Sequence, residues 1–429
     1  MRPGPLLAPL LALGLVAALG VGVLLPGSGG FAAIWALLLT GAAAALAVRG
    51  RIPRALDVAL DAPDLLIHLT PTPVSLRIDG GGRALRLTLA FAGDAVTLSP
   101  DQGRLALPTG GTLELALTAT GRRRGKGVFG PAHLWVGDPL GLWERRITCP
   151  LGEVEIHPRA SASGSLRARR LVGGSGRPRP TPGAGTEFRS LRPYVPGDDP
   201  RTIHWPATAR LGKPICRTWS GEESPRVLLA LDISRRMGAA DGPDHTRLDR
   251  SVEAAVALAT SLGGAPVGAA VFDRRVLKEC PLNRRGLRAV RRLLYDVQPT
   301  TFEPDYAELF RHLRDRLRRR TLVVLLTSPE GDDGLARACP LLTDRHRVLV
   351  AAVGDRALRR LAGETPDAPL LDNLDDLHAR ASALSLLADR RRCLARIRAA
   401  GAAVIDADAS ELERTLRVHY LRLLSAGPV

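Results

Sequence analysis

A chain of 429 residues that is 45% hydrophobic, 4% aromatic and 24% charged carries enough apolar mass for two soluble domains, which excludes a disordered protein. Its net charge of +17 is almost all arginine, the only lysines being Lys126, Lys213 and Lys278; with no zinc-finger spacing and no aromatics at nucleic-acid-binding spacing, the charge does not specify a nucleic-acid reader. The five cysteines, Cys149, Cys216, Cys280, Cys339 and Cys393, are scattered and odd in number, which argues against a disulfide framework or a zinc site and suits a reducing compartment.

Two uncharged apolar runs, Pro5 to Leu25 and Phe31 to Val48, each approach the ~20 residues a spanning helix needs. Residues 1–53 are therefore expected to form a two-helix membrane anchor. Arg2 precedes the first run, while Arg49, Arg51 and Arg54 follow the second. That bias places both ends of the hairpin inside and everything after it in the cytoplasm, as in a multi-pass inner (cytoplasmic) membrane protein.

From residue 54 to 160 the pattern switches to period two: Ser75 to Ile78, Leu85 to Phe91, Leu113 to Thr120, His133 to Val136 and Glu153 to Pro158. Short alternating runs between Gly, Pro and Asp turns predict an antiparallel β-sandwich. Gly121 to Gly127, GRRRGKG, imitates a phosphate loop but lacks a Ser or Thr after Lys126 and opens no helix; it reads as a basic hairpin loop.

Residues 161–224 begin as a Gly, Ser, Pro and Arg-rich connector and continue into a dense polar segment. In that segment Asp199 is placed to cap a turn starting at Pro200, and a second turn is expected from Pro206 to a stop at Gly212. Trp205, Phe188 and Tyr194 alternate with Asp198, Asp199, Arg201 and Arg210. That mixture predicts a docked segment in which Trp205 is a packing anchor and the charges pair.

Residues 225–429 alternate strands with helices. Val227 to Ile233, Val267 to Phe272, Thr321 to Thr327 and Arg347 to Val353 are nearly unbroken apolar runs, as expected of strands buried on both faces of a mostly parallel, doubly wound α/β sheet. Helices are expected near 248–262, 284–295, 305–318, 334–342 and 374–399. A last strand follows at Ala402 to Asp406, then a helix capped by Ser410 with Glu413.

The motif Gly185-x-Glu187-Phe188, Leu191-Arg192-x-Tyr194-x-Pro196-Gly197-Asp198-Asp199, Arg201-x-Ile203-x-Trp205 and Ala209-Arg210 resembles the signature of the family catalogued as domain of unknown function 58. Arg124-Gly125 and the Asp138 to Leu142 run extend the likeness. The resemblance implies a bacterial membrane-anchored protein with a von Willebrand factor A-like α/β domain, associated with MoxR-type AAA+ ATPases, and no established activity.

In such domains the first strand ends in Asp-x-Ser-x-Ser, which with a Thr and an Asp from other loops binds a divalent cation through oxygens. Here Asp232 and Ser234 are present, the third ligand is replaced by Arg236, and the usual Thr-Asp is Thr327-Ser328. Unit charges about 4 Å apart at an effective dielectric of ~20 interact by ~4 kcal/mol, and a divalent ion facing arginine feels about twice that. No metal or other cofactor is expected, although a weak Mg²⁺ site on Asp232, Ser234 and Thr300 or Thr301 survives if Arg236 points outward.

The chain has no Gly-x-Ser-x-Gly elbow, His-Glu-x-x-His motif or dinucleotide fingerprint. The sequence thus predicts a non-enzymatic, membrane-anchored adaptor, with a MoxR-type AAA+ ATPase and other membrane-associated proteins as partners by resemblance. One rival is a hydrolase built on Asp198, Asp199 and His204, and the other is an anionic lipid or nucleic-acid binder using the arginine surface.

Overall fold

The structure, a computed structural model, describes residues 2–3, 9, 12, 16, 41–42, 55–79, 85–107, 112–137, 143–159, 187–196, 198–220, 226–331, 333–370 and 372–425. The chain divides into two compact units, Met1–Arg159 and Ala160–Val429.

The first unit is built from β1 (Arg2–Pro3), β2 (Asp57–Asp61), β3 (Leu65–Ile67), β4 (Thr72–Asp79), β5 (Leu85–Phe91), β6 (Val96–Ser99), β7 (Gln102–Leu107), β8 (Thr112–Gly121), β9 (Gly125–Val128), β10 (Ala132–Gly137), β11 (Trp143–Cys149) and β12 (Glu153–His157). They form a five-stranded sheet ordered β1-β11-β10-β5-β7, a four-stranded sheet ordered β2-β4-β8-β6 and a small sheet ordered β3-β12-β9. Along β4, Val74, Leu76 and Ile78 are buried while Arg77 and Asp79 are exposed, the alternation of a strand with one face on a core. Those residues share one apolar cluster with Leu87, Leu89, Leu134 and Val136 of the five-stranded sheet. The pairing is not wholly antiparallel, because β3 runs parallel to β12.

Two expectations are corrected in this unit. Gly121 to Gly127 is not a hairpin loop: β8 and β9 belong to different sheets, so the basic segment is a crossing between them. Its glycines serve packing, since a Cβ on Gly121 or Gly127 would lie 2.8 or 2.9 Å from the Ile156 side chain.

The transmembrane hairpin is the second correction. Among the described residues no helix is long and apolar enough to cross a membrane, and most of Pro5 to Val48 lies outside them. The one described element before the first apolar run, β1, pairs antiparallel with β11 at Trp143 and Glu144. The expectation rested on apolar length alone, which supports a span only where those residues form a helix; the multi-pass arrangement is therefore not retained.

In the second unit β13 (Glu187–Pro193) and β14 (Ile215–Ser220) form an antiparallel ribbon whose connection holds a 3-10 turn (Pro200–Thr202) and α1 (Trp205–Leu211). A six-stranded sheet follows, made of β15 (Val227–Asp232), β16 (Val267–Phe272), β17 (Val276–Asn283), β18 (Leu322–Thr327), β19 (Arg347–Gly354) and β20 (Ala403–Asp408), in the order β17-β16-β15-β18-β19-β20. All neighbours are parallel except the edge strand β17. Its helices are α2 (Arg247–Ser261), α3 (Gly286–Leu294), α4 (Tyr306–Arg316), α5 (Gly334–Ala338), α6 (Pro340–Thr343), α7 (Arg356–Leu361), α8 (Leu374–Ala399) and α9 (Leu412–Ser425).

Because successive strand residues point to opposite faces, Leu229, Leu231, Val324 and Leu326 pack with Leu248, Val252, Val290 and Leu416. Leu228, Ala230, Val323 and Leu325 pack on the other face with Phe310, Leu313, Leu335 and Ile397. Both faces are therefore covered, by α2, α3 and α9 on one side and α4, α5 and α8 on the other. Ser410 does not cap the last helix: it lies inside a 3-10 turn, Ala409–Glu411, whose preceding Asp408 makes no capping bond.

Strand order reverses beside β15, since the chain moves out to β16 and β17 and then returns to add β18 on the other side. Open α/β sheets place ligand sites at the carboxyl ends of strands at this reversal. Here those ends carry Asp232 and Thr327.

Candidate functional site

Asp232 is fully buried and both its oxygens are engaged. Oδ1 accepts from the Ser234 N–H at 2.8 Å and Oδ2 from the Thr327 hydroxyl at 2.6 Å; the Tyr306 hydroxyl lies 2.8 Å from the same Thr327 oxygen. Burial pushes the Asp232 carboxyl above its ordinary range, opposed by these hydrogen bonds and by the charge of Arg236. Burial also drives Tyr306 far up, with the Asp232 charge adding to it. The Ser234 hydroxyl is buried and has no hydrogen-bond partner among the described residues.

Arg236 is held in place by Glu303, whose Oε2 is 2.8 Å from its Nε, and by the Glu330 carbonyl at 2.5 Å from Nη1. Glu303 also accepts from Arg235 at 2.8 Å; that bond and the Arg236 charge hold its carboxyl below the ordinary range. The loop bearing Glu303 is tied to the strand end, because Thr300 donates from its N–H at 2.7 Å and from its hydroxyl at 3.2 Å to the Ile233 carbonyl. Thr301 is exposed.

Ser328, where the pattern would have a carboxylate, accepts from Arg247 Nη1 at 3.0 Å. Arg247 is itself buried and bridges Glu330 at 2.8 Å and Asp355 at 2.6 Å. Arg390 extends the lattice, 2.9 Å from Asp406, and Arg359 joins Asp406 to Asp408 at 3.3 and 3.0 Å.

The residues present do not fit a divalent cation. Each Asp232 oxygen already accepts a hydrogen bond, from Ser234 or Thr327, and the guanidiniums of Arg236 and Arg247 bring positive charge where the ion would need oxygen ligands. Arg247, Glu303, Glu330, Asp355 and Arg390 carry no sequence signal of this role, since they come from separate elements and only folding brings them together.

The signature residues lie elsewhere. Arg192 grips Asp198 through two bonds of 2.6 and 2.5 Å, and Asp198 also accepts from the Val195 N–H at 3.0 Å; the Arg192 hydrogen bond holds the Asp198 carboxyl low. Asp199 caps the 3-10 turn by accepting from the Arg201 N–H at 3.0 Å. His204 caps α1, its Nδ1 accepting from the Ala207 N–H at 3.0 Å, and Gly212 ends that helix at φ +61°, a left-handed conformation that favours glycine. The Tyr194 N–H donates to the Pro214 carbonyl at 2.9 Å. Gly197 and the side chains of Glu187 and Phe188 lie outside the described residues.

The expected buried network is not formed. Asp199, Arg201 and Arg210 are exposed, and Trp205 is 68% exposed instead of anchored. The cause is local: one carboxylate is taken by Arg192 and the other by a turn, so neither is left for a longer-range partner. Asp198, Asp199 and His204 each serve a separate backbone or ion-pair contact and make no common constellation.

A third feature is apolar. The first half of α8 exposes Leu374, at 65%, with Leu377 and Leu384, which fall on one stripe of the helix at spacings of three and seven. Leu370, 82% exposed, and Leu361 adjoin it in sequence. The adjoining side of the helix packs Ala383 and Leu387 with Leu358 and Ala362 of the α7 segment.

The second unit is thus a parallel α/β domain whose strand-end site is occupied by its own arginines. Residues 190–368 match the family described as "Protein of unknown function DUF58". An uncharacterized protein of Mycobacterium bovis is 29% identical over 181 residues, which is 41% of this chain and 56% of that protein. Uncharacterized proteins from two strains of Mycobacterium tuberculosis match to the same extent; the chain spans about half the length of these relatives. Among solved structures, the conserved hypothetical protein BatB from Bacteroides thetaiotaomicron is similar at 16% identity over 47% of this chain and 98% of its own, with a TM-score of 0.32. An aerotolerance-related membrane protein from Bacteroides fragilis is similar at 15% identity over 39% of this chain and 99% of its own, with a TM-score of 0.27.

Proposed function

We propose that this chain is a non-enzymatic adaptor that engages a protein partner, a MoxR-type AAA+ ATPase, through the leucine stripe of α8. The observation that supports this reading is the stripe itself, since grouped exposed leucines rimmed by charge mark an interaction surface. Asp375, Asp376 and Arg380 supply the charged rim.

The magnitude is suited to reversible association. Burying Leu370, Leu374, Leu377 and Leu384 contributes roughly 6 to 8 kcal/mol, and association costs at least about 4 kcal/mol in lost freedom. The stripe alone therefore gives weak binding, and polar contacts at its rim must supply the rest.

The test is capture of the purified ATPase from the same organism on the immobilised full chain. Retention above the level of an unrelated basic protein is expected. Recovery no higher than that control would remove the partner assignment.

A further inference from the structure

At the opposite, amino-terminal end of β18 and β19 lies a cleft of ≈ 550 Å³ lined by Arg314, Arg318, Arg319, Arg320, Arg345 and His346, with Asp315 and Leu317 completing the wall. Five guanidiniums therefore face one carboxylate. Other arginines on the same helix have found partners: Arg311 pairs with Glu308 and Arg316 with Glu279. The five of the cleft make no ion pair among the described residues.

Ordinary structural roles do not account for this concentration. The carboxyl end of α4 points toward the cleft and carries about half a negative charge, which one basic residue in the last turn answers; Arg314 does so. Four more arginines, exposed at the mouth of the cleft, leave a local excess of positive charge that water and salt screen in part and that an anion answers directly.

His346 is the second, independent observation. It is 4% exposed, lines the cleft, and neither of its ring nitrogens, both closed off from solvent, has a hydrogen-bond partner among the described residues. A buried imidazole left unsatisfied is destabilising, and an anion that draws one ring N–H toward the cleft relieves it. Burial holds His346 below the ordinary histidine range, so it enters the site as a neutral donor.

We propose that this cleft binds a compact phosphate polyanion, a diphosphate group, held by bidentate guanidinium contacts with the His346 ring donating from the wall. Phosphate is favoured over carboxylate because several arginines converge on a volume at the lower end of small-ligand sites. Only a ligand that concentrates charge answers them all, and the guanidinium fork matches phosphate oxygens two at a time. The group could be free or borne on a lipid head group, and the chemistry of recognition is the same.

Calorimetry of the full chain with sodium pyrophosphate at fixed ionic strength tests the site, with sedimentation on vesicles containing diacylglycerol pyrophosphate against phosphatidylcholine vesicles as a second arm. The Arg319→Ala/Arg345→Ala variant changes two exposed side chains, so it should fold; Arg292→Ala, exposed on α3, is the control. Binding in either arm that weakens at least tenfold in the double variant, with the control unchanged, is expected. Pyrophosphate binding alone assigns a soluble ligand, and vesicle binding alone a head group. Binding in neither arm, equal affinity in the double variant, or an equal loss in the control would overturn the proposal.

Discussion

Thr327 donates a 2.6 Å hydrogen bond to the buried carboxylate of Asp232, joining the carboxyl ends of two neighbouring parallel strands where the fold would place a ligand. Burial raises the Asp232 carboxyl. The native state therefore keeps its proton over a range in which the unfolded chain has released it. Stability from this group is lost as pH rises from the unfolded value of about 3.9 through the native one. Asp232→Asn cannot ionise, so its stability relative to the natural chain is expected to improve over the window that opens near about pH 4 and closes at the raised native value. Denaturant unfolding across that window checks this; a constant or reversed difference would contradict it.

Arg247 is the hub of the strand-end lattice. Arg247→Ala leaves Glu330 and Asp355 without their shared cation. Breaking a buried pair costs about 3 to 5 kcal/mol, but these carboxylates are 44% and 28% exposed and can hydrate in part. A loss of about 2 to 3 kcal/mol is expected in urea unfolding, and a loss below about 1 kcal/mol would show the lattice to be ornamental.

The arginines also set metal behaviour. The natural chain is expected to bind Mg²⁺ no tighter than about millimolar by calorimetry. Arg236→Ser with Ser328→Asp in an Arg247→Ala background should create measurable affinity, because it removes both guanidiniums and restores two oxygen ligands near the Ser234 hydroxyl, which has no partner among the described residues. Micromolar binding by the natural chain that disappears in Asp232→Ala would refute this assignment.

For the signature ribbon, exposure limits the effect of single changes. Asp199→Ala removes one turn cap and is expected to cost about 1 kcal/mol or less, and Trp205→Ala is expected to leave the melting temperature nearly unchanged. A drop of several degrees in either variant would mean that the segment packs against a wall.

Much of the α/β unit was legible because its signals are local. The unbroken apolar run Val227 to Asp232 buries every residue, and helix α8 has the bounds its sequence pattern predicts, with Asn373 accepting from the Asp376 N–H as its cap. The edge strand β17 was not legible: Val276 to Asn283 carries Lys278, Glu279 and Pro281 and buries only Cys280, so neither a continuous nor an alternating apolar pattern marks it. The substitution of Arg236 for a ligand could be read from the sequence, but its inward lock could not, because Glu303 and the Glu330 carbonyl come from loops far along the chain. Trp205 misled for a related reason: a large apolar ring signals a need for packing, and only the fold shows whether a surface is there to meet it.

Whether the leucine stripe of α8 carries the proposed partner binding is decided by a titration of the MoxR-type ATPase with the full chain and with its Leu374→Asp/Leu377→Asp variant. Both leucines are exposed, so the variant should keep the circular dichroism and melting temperature of the natural chain. A measurable dissociation constant is expected for the natural chain, weakening at least tenfold in the folded variant. Equal affinity in the two would contradict it.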